Sequence, residues 1–541
     1  MLFALAILCA GRLYAGVTAS ISGTVTDPSG GAVAGASVTA TNVDTGVATT
    51  QTTNTQGFYS FQSLPLGKYT VEVQQTGFKT TSRIDIVLKV NDALIVDFAL
   101  QVGQKTERVE VSSEALHVET ANTQMGEVIE SQQMTAVPLV KRSYTDLLAL
   151  QPGVVSQSSG LSGQFGGQQS GKFLAATFSV PLVSGDLNAG ALSVNGQREA
   201  ANGYILNGVT VQETGFSQAG AVPNLDSIQE FRILTNNFDA EYGNYSGSQV
   251  NVITKSGTNQ FHGSAFEFLR NTNLDAANFF ESGHRGSYHQ NQFGVTFGGP
   301  IKKDKLFFFA DYQGNRLIQA VPQNVPGAPS TALIGGDLTS VAGSLTGTVQ
   351  SKDQSAQFPN PWANQLSTLL GGQPITPGEP YYFTAASINP ATMLPYGVNC
   401  TTAAQCVFPN AHLDPSHFNM ISKNELPFIQ PANNAAQNAF FTNAGKIDLH
   451  DNKFSGRVDA NSRFGLLSLY YYFDKFTRDD PYWAAPGPLY PGFAIESRGQ
   501  THNVSLGDTK TFGSTTVNEF RFGYFRLDTP FNQPLGGTQQ T

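Results

Sequence analysis

From Phe261 to Tyr524 the chain repeats short stretches in which apolar and polar residues alternate, and the connections between those stretches sort by length. Phe266 and Phe268 alternate with Ala265 and Glu267 in the first stretch, Phe261 to Arg270. Phe293, Val295 and Phe297 alternate with Gly294, Thr296 and Gly298, and Leu306, Phe308, Ala310 and Tyr312 with Lys305, Phe307, Phe309 and Asp311. The same holds for Phe454, Gly456 and Val458, for Leu467, Leu469, Tyr471 and Phe473, for Val504 and Leu506, and for Phe520, Phe522 and Tyr524. A period of two is the signature of a strand with two unlike faces. The connections run alternately long (Asn271–His289, Leu317–His450, Thr477–Gln500) and short (Gly299–Asp304, Asn461–Arg463, Gly513–Ser514). A soluble sandwich also alternates, because one face of each strand is buried. It has no reason to put every long connection at one end. A membrane β-barrel has that reason, with tight turns on one side and long loops on the other. The pattern therefore predicts an antiparallel wall of seven strands, each about ten residues long, the length that crosses a bilayer at a tilt. The first strand runs outward from the short-turn side.

Composition agrees with a wall that faces lipid. Charged residues are 13% of the 541, roughly half the ~25% usual in soluble domains. There are 55 Gly, 38 Phe and 18 Tyr against 2 Trp, which suits a strand-rich chain. A formal net charge of -9 argues against general nucleic-acid binding. With 3 Cys there is no disulfide scaffold. Beyond the first residues no apolar run approaches the roughly 20 residues of a membrane helix, so a membrane role falls to strands. Residues 1–15 (MLFALAILCAGRLYA) read as the core of a secretory signal peptide cleaved near Ala15 or Ala19. The positive leader expected ahead of that run is missing, which predicts a start further upstream. Cys9 follows Leu8, where lipidation calls for a small residue.

Residues 19–102 hold seven short stretches rich in β-formers, separated by turns such as Asp27-Pro28-Ser29-Gly30-Gly31, and predict a β-sandwich. The wording SGTVTDPSGGAVAGASVTATN, followed by TNTQGFYSFQSLPLGKYTVEVQQTGFKT, resembles the carboxypeptidase regulatory-like domain. That resemblance implies a transthyretin/Ig-like sandwich of the carbohydrate-binding-like fold group. It does not imply peptidase activity, because no zinc-ligand spacing of His and Glu is present. Phe58, Tyr59, Phe61 and Tyr69 are read as core in preference to a sugar platform.

Residues 103–114 form a polar linker around a β-prone segment, Arg108–Ser112. That segment is either a strand offered to a partner's sheet edge or a plain interdomain strand. Residues 115–257 read as a second globular unit. It contains a helix at Thr145–Leu150, a Gly/Ser/Gln-rich loop from Ser156 to Gly190, and strands at Leu192–Val194 and Gly203–Leu206. A turn at Asn207-Gly208 leads to Val209–Val211. Ser227–Thr235 reads as a short helix running into a strand, and Ser248–Thr254 as a strand before the wall begins.

Several motifs of this unit resemble the plug domain of TonB-dependent outer-membrane receptors: Val137-Pro138-Leu139, LLALQPGV from Leu147, VNGQR from Val194, YILNG from Tyr204, Ile228–Ile233 and Glu241-Tyr242-Gly243. A plug preceded by a regulatory-like domain resembles the Oar-like branch of that family. The resemblance implies an incomplete transmembrane antiparallel β-barrel over residues 258–541, since the family's barrels have about 22 strands. The chain is accordingly expected to be an N-terminal fragment. The resemblance also implies a bacterial outer-membrane location, with plug and sandwich on the periplasmic side. Its implied partners are a TonB-type energy-coupling complex, outer-membrane lipid, the barrel assembly machinery and an extracellular ligand of unknown identity. By place and composition, the energy-coupling candidate is Glu107, Arg108, Val109, Glu110, Val111, Ser112 and Ser113.

In the longest loop Cys400 and Cys406 are a disulfide candidate if the protein is exported. His412 and His417 are too few to complete a metal site with them. No catalytic constellation, metal site or cofactor motif stands out, so no enzyme is predicted. The leading expectation is an energy-coupled transporter of an unknown ligand, with oligosaccharide or peptide favoured. The alternative is a surface adhesion or signalling protein that uses the barrel as an anchor.

Overall fold

A computed structural model describes residues 17–104, 108–112, 125–139, 141–156, 192–213, 218–238, 242, 245–276, 286–320, 323–345, 347–349, 362–434, 439–442, 445–480, 495–512 and 516–532. The expected signal peptide, the Gly/Ser/Gln-rich loop after Ser156, and Glu107 and Ser113 lie outside them.

The N-terminal unit is a sandwich. One sheet joins β1 (Ala19–Thr26), β4 (Phe58–Leu64), β7 (Ala93–Ile95) and β8 (Phe98–Ala99). The other runs β3 (Ala48–Thr52), β2 (Ser37–Asn42), β5 (Gly67–Gln74), β6 (Thr80–Leu88) and β9 (Arg108–Ser112). Between them lies a core of Ile21, Val25, Val38, Tyr59, Phe61, Tyr69, Val71, Val73, Ile86 and Phe98. Alternation along each strand sends these side chains inward. Tyr59, Phe61 and Tyr69 are core, and the Tyr59 hydroxyl donates to the Val96 carbonyl at 2.6 Å. Phe58 faces solvent. The last stretch of the unit, Ala93–Leu100, is divided into two strands, β7 and β8, both running parallel to β1.

The second unit is a five-stranded sheet ordered β10 (Met125–Glu130), β15 (Ile228–Asn236), β16 (Gln249–Thr254), β13 (Gly203–Leu206) and β14 (Val209–Thr210), beside a small β11–β12 pair (Val154–Ser156, Leu192–Val194). The central strand β16 is buried along its whole length, so Asn251 and Ile253 are as covered as Val250 and Val252. Only one 3-10 turn, Leu225–Ser227, precedes β15, where a short helix was expected from Ser227. A helix at Tyr144–Leu148 begins at Ser143, whose hydroxyl accepts from the Thr145 N–H at 3.4 Å.

The wall is one antiparallel meander: β17 (His262–Asn271), β18 (Tyr288–Lys302), β19 (Leu306–Ala320), β22 (Lys446–Ser462), β23 (Gly465–Asp480), β24 (Ile495–Phe512) and β25 (Thr516–Asp528). A short β20–β21 ribbon (Gln323–Pro326, Ala439–Thr442) rises from the longest loop, and β26 (Phe531–Asn532) pairs back onto β24. From β18 on, the strands have 13 to 18 residues, longer than expected, because hydrogen bonding continues past the apolar band at each end. The sheet is open, with β17 and β25 as its edges.

Candidate functional site

The wall has its polarity reversed relative to a soluble sheet. Val295, Phe297, Phe454, Val458, Leu469, Leu506, Phe520, Phe522 and Tyr524 stand exposed on the outer face. Neighbours in register continue the band: Leu469 lies between Val458 and Leu506, and Leu506 beside Phe522. The inner face is polar yet buried, with Gln292, Asp311, Gln313, Asp451, Lys453, Ser455, Asp474, Asn503 and Ser505 all covered. Apolar outside and polar inside is stable only where the outside is hydrocarbon. The first strand departs from this pattern. Phe266 pairs with inward Gly294 and Phe268 with inward Gln292, so both rings turn into the barrel. They meet Arg142, whose guanidinium lies 4.0 Å from the Phe268 ring and 4.9 Å from that of Phe266. A Cβ at Gly294 would strike the Phe266 ring at 2.5 Å, so glycine makes room for that contact.

What covers the polar inner face is the second unit, held largely by its own backbone. The Lys453 ammonium and the Tyr472 hydroxyl both donate to the Val222 carbonyl at 2.9 Å. Arg457 donates to the Thr254 carbonyl at 2.7 Å, and Ser505 to the Asn207 carbonyl at 3.1 Å. Asn224 and Ser455 both donate to Asp311. Ser256 donates to Asp459 at 2.6 Å, and within the inner unit Arg142 pairs with Asp226 at 2.6 Å. Tyr470 and Tyr472 of the wall join the apolar core of the inner unit. The interface is only partly satisfied among the described residues, with buried polar atoms of Gln292, Gln313 and Asn503 lacking a hydrogen bond, and water can replace most of the bonds that are made when the unit shifts.

A second contact joins the inner unit to the sandwich. The turn Lys89–Asp92 presses on β10 and β15. The Val90 N–H donates to the Glu230 carboxylate, and Arg232 donates to the Val90 carbonyl at 2.9 Å. Arg232 also lies 3.8 Å from Asp92, Lys89 pairs with Glu130 at 2.8 Å, and Asn91 donates to the Tyr242 hydroxyl. Val90, Asp92, Glu230 and Arg232 are all buried there. Burial pushes the Glu230 carboxyl up to about 8, opposed first by the Val90 N–H and reinforced by the charges of Asp92 and Glu130.

Residues named from the sequence fall in two places. Arg108–Ser112 is a strand, β9, paired in parallel with Thr80–Ile84 of β6 at the edge of the sandwich. Its other edge carries no strand among the described residues. Cys400 and Cys406 are bonded, with Cα atoms 6.2 Å apart, and are buried in a small cluster with Phe383. They sit in a folded portion of the longest loop that has a core of its own, including Val349, Leu366 and Val407. His412 and His417 line a shallow depression there with Asp337 and Asp414. No group of three or more His, Cys, Asp or Glu among the described residues is arranged to hold a metal ion. The Val90–Glu230–Arg232 contact was not foreseen, and the only hint of it was charged residues inside the apolar run of β15.

A curved antiparallel sheet with an apolar exterior, folded round a polar-gripped inner unit, defines a membrane β-barrel protein. Residues 253–541 match the family model described as "Outer membrane beta barrel domain", and residues 20–101 match "Carboxypeptidase regulatory-like domain". The chain belongs to the outer-membrane β-barrel family, and its place is the outer membrane. It is similar to the TonB-dependent transporter Oar of Myxococcus xanthus, with 26% identity over 342 residues, covering 58% of this chain and 29% of that protein. The chain thus spans under a third of that relative's length. Among solved structures it is similar to the outer membrane transporter YddB of Escherichia coli, at TM-score 0.39 and 10% identity, covering 76% of this chain and 40% of that one. It is also similar to a mutant ferric enterobactin receptor of Pseudomonas aeruginosa, at TM-score 0.30 and 11% identity, covering 77% and 51%.

Proposed function

We propose that this chain is the N-terminal part of a TonB-dependent transporter, in which the second unit is a plug and the sandwich lies on the periplasmic side. The observation that carries this reading is the grip of the wall on the plug. Lys453, Tyr472, Arg457 and Ser505 hold backbone carbonyls across a polar face, where water can take their place. Apolar contact across the same interface is supplied by Tyr470 and Tyr472, and the polar bonds lie beside it. A unit that must shift needs bonds that exchange with water at little cost. The similarity to the Myxococcus xanthus transporter supports the same reading. The transported ligand is an oligosaccharide, peptide or chelate taken at the long-loop end. Residues 107–113 serve as the coupling segment. The free edge of β9 suits strand addition by an energy-coupling protein.

The test is direct. The periplasmic domain of the cognate TonB-type protein is titrated against the full-length protein and against a variant lacking residues 107–113. Binding lost in the deletion, with membrane insertion intact, supports the reading. Equal binding by both proteins would remove residues 107–113 from that role. A barrel-anchored adhesin differs in that its attachment to cells survives the deletion.

A further inference from the structure

The sandwich touches the rest of the molecule at the short-turn end alone among the described contacts, and it does so at two places. One is the buried Lys89–Asp92 contact with β10 and β15. The other is the wall's first short turn. There Asn259 donates to the Thr45 carbonyl and to Asp304, both at 2.7 Å, and accepts from the Asp304 N–H at 2.9 Å. The Asn259 N–H also donates to the Asp44 carbonyl at 2.9 Å. Between these two points the sandwich does not pack tightly on the wall. A cavity of about 140 Å³ separates them, bordered by Leu64 and Tyr69 of the sandwich, Gln229 and Ile253 of the inner unit, and Arg457 and Leu466 of the wall.

The two points differ in kind from the cavity between them. At the first, two backbone groups of Val90 are matched by two side chains of β15, a geometry that fixes position and register. At the second, one asparagine bridges sandwich and wall. Between them lies the cavity. An appendage on a flexible tether has no need of a buried, matched contact, because burying charged groups costs free energy unless each finds a partner. A fixed structural support would be expected to fill the cavity with apolar side chains.

We propose that the N-terminal sandwich is a lid on the short-turn mouth of the barrel, latched to the plug by Lys89–Asp92 and to the wall by Asn259, and that it swings off these latches when the plug moves. This rests on the transporter reading for its purpose, although the latch itself is a property of the chain at rest. It gives β9 a second role. A pull on residues 108–112 acts first on β6 of the lid, since the segment is hydrogen-bonded there. The lid then opens before force reaches the plug.

The experiment needs no ligand and no energy source. Gln229, which borders the cavity, is replaced by Cys in the exported protein, from which Cys9 leaves with the signal peptide and in which Cys400 and Cys406 are held in their disulfide. The full-length protein in lipid nanodiscs is exposed to a bulky, membrane-impermeant maleimide, and the labelling rate is compared across variants. Val90→Asp places an unpaired carboxylate at a fully buried position of this contact and should raise the rate more than about tenfold, the loss of a matched buried contact. Glu130→Lys breaks the half-exposed pair with Lys89 without touching either core. It should raise the rate about two- to fivefold, fivefold being the most such a pair supplies. Labelling within twofold of the parent in both variants overturns the lid. Should Val90→Asp fail to fold, Glu130→Lys decides alone, its rise supporting the lid and an unchanged rate overturning it. Failure of the transporter reading is read elsewhere, in the titration of the 107–113 deletion, so the two can fail separately.

Discussion

Replacing Leu469 by Arg should cripple the protein in lipid, although the position is solvent-facing in the isolated chain. Leu469 is 48% exposed on the outer face of β23. It lies between Val458 and Leu506 in register, with Leu467, Tyr471 and Phe473 continuing the apolar face along its own strand. This is the middle of the outer band. In a soluble sheet, changing an exposed Leu to Arg shifts stability by about 0.5 kcal/mol or less. On the lipid face of a barrel, an Arg near the bilayer midplane costs roughly 2–4 kcal/mol. That corresponds to roughly 30-fold to 700-fold in the folding equilibrium. The assay is reversible urea unfolding of the full-length protein in phospholipid vesicles, followed by gel mobility of the folded form. Leu469→Ala serves as the control for lost side-chain area. A cost below about 1 kcal/mol beyond that control, with full insertion, would refute the reasoning that the outer face meets hydrocarbon.

Two further outcomes are expected. Glu230 has its pKa raised by burial to about 8 in the folded protein, so its contribution is fully present below the ordinary carboxyl range and is lost as pH rises through about 8. Lys89 and Asp92 of the sandwich, and Glu130 and Arg232 of the inner unit, face the same contact. The melting temperature of the parent should therefore fall relative to Glu230→Gln between pH 5 and pH 8.5, and a constant difference between the two proteins would contradict this. Cys400→Ser with Cys406→Ser should cost the loop fold about 2 kcal/mol, the value for closing a short loop. It should hasten limited proteolysis between β21 and the ribbon's first strand while leaving membrane insertion unchanged, and cleavage at the parental rate would count against it.

Where local pattern decides structure, it was readable. The two faces of β19 and β23 follow from alternation alone, and so does the sorting of turns and loops to opposite ends. What escaped depends on partners distant in sequence. Met125–Glu130 carries Gly126 and two glutamates and has weak strand character of its own. It becomes β10 because the straight edge of β15 accepts it in register. Phe266 and Phe268 look like an outer apolar face, yet the ring-sized gap at Gly294 and the guanidinium of Arg142 turn them inward. The latch is the clearest case. Val90 lies 140 residues before Glu230 and 142 before Arg232, and no spacing rule connects them. The fold within the longest loop was also invisible, because its core draws Val349, Leu366 and Val407 from an irregular, Pro-rich stretch.

The most direct test of the account is lipid accessibility along β23. Single spin labels at positions 466 to 473 of the full-length protein in vesicles report collision rates with oxygen, which concentrates in hydrocarbon, and with a polar nickel chelate, which does not. The account predicts a period of two. Labels at Leu467, Leu469, Tyr471 and Phe473 should meet oxygen, and labels at Tyr470 and Tyr472 should meet little of either reagent, being covered by the inner unit. Uniform access along the strand, or the reverse phase, would contradict it.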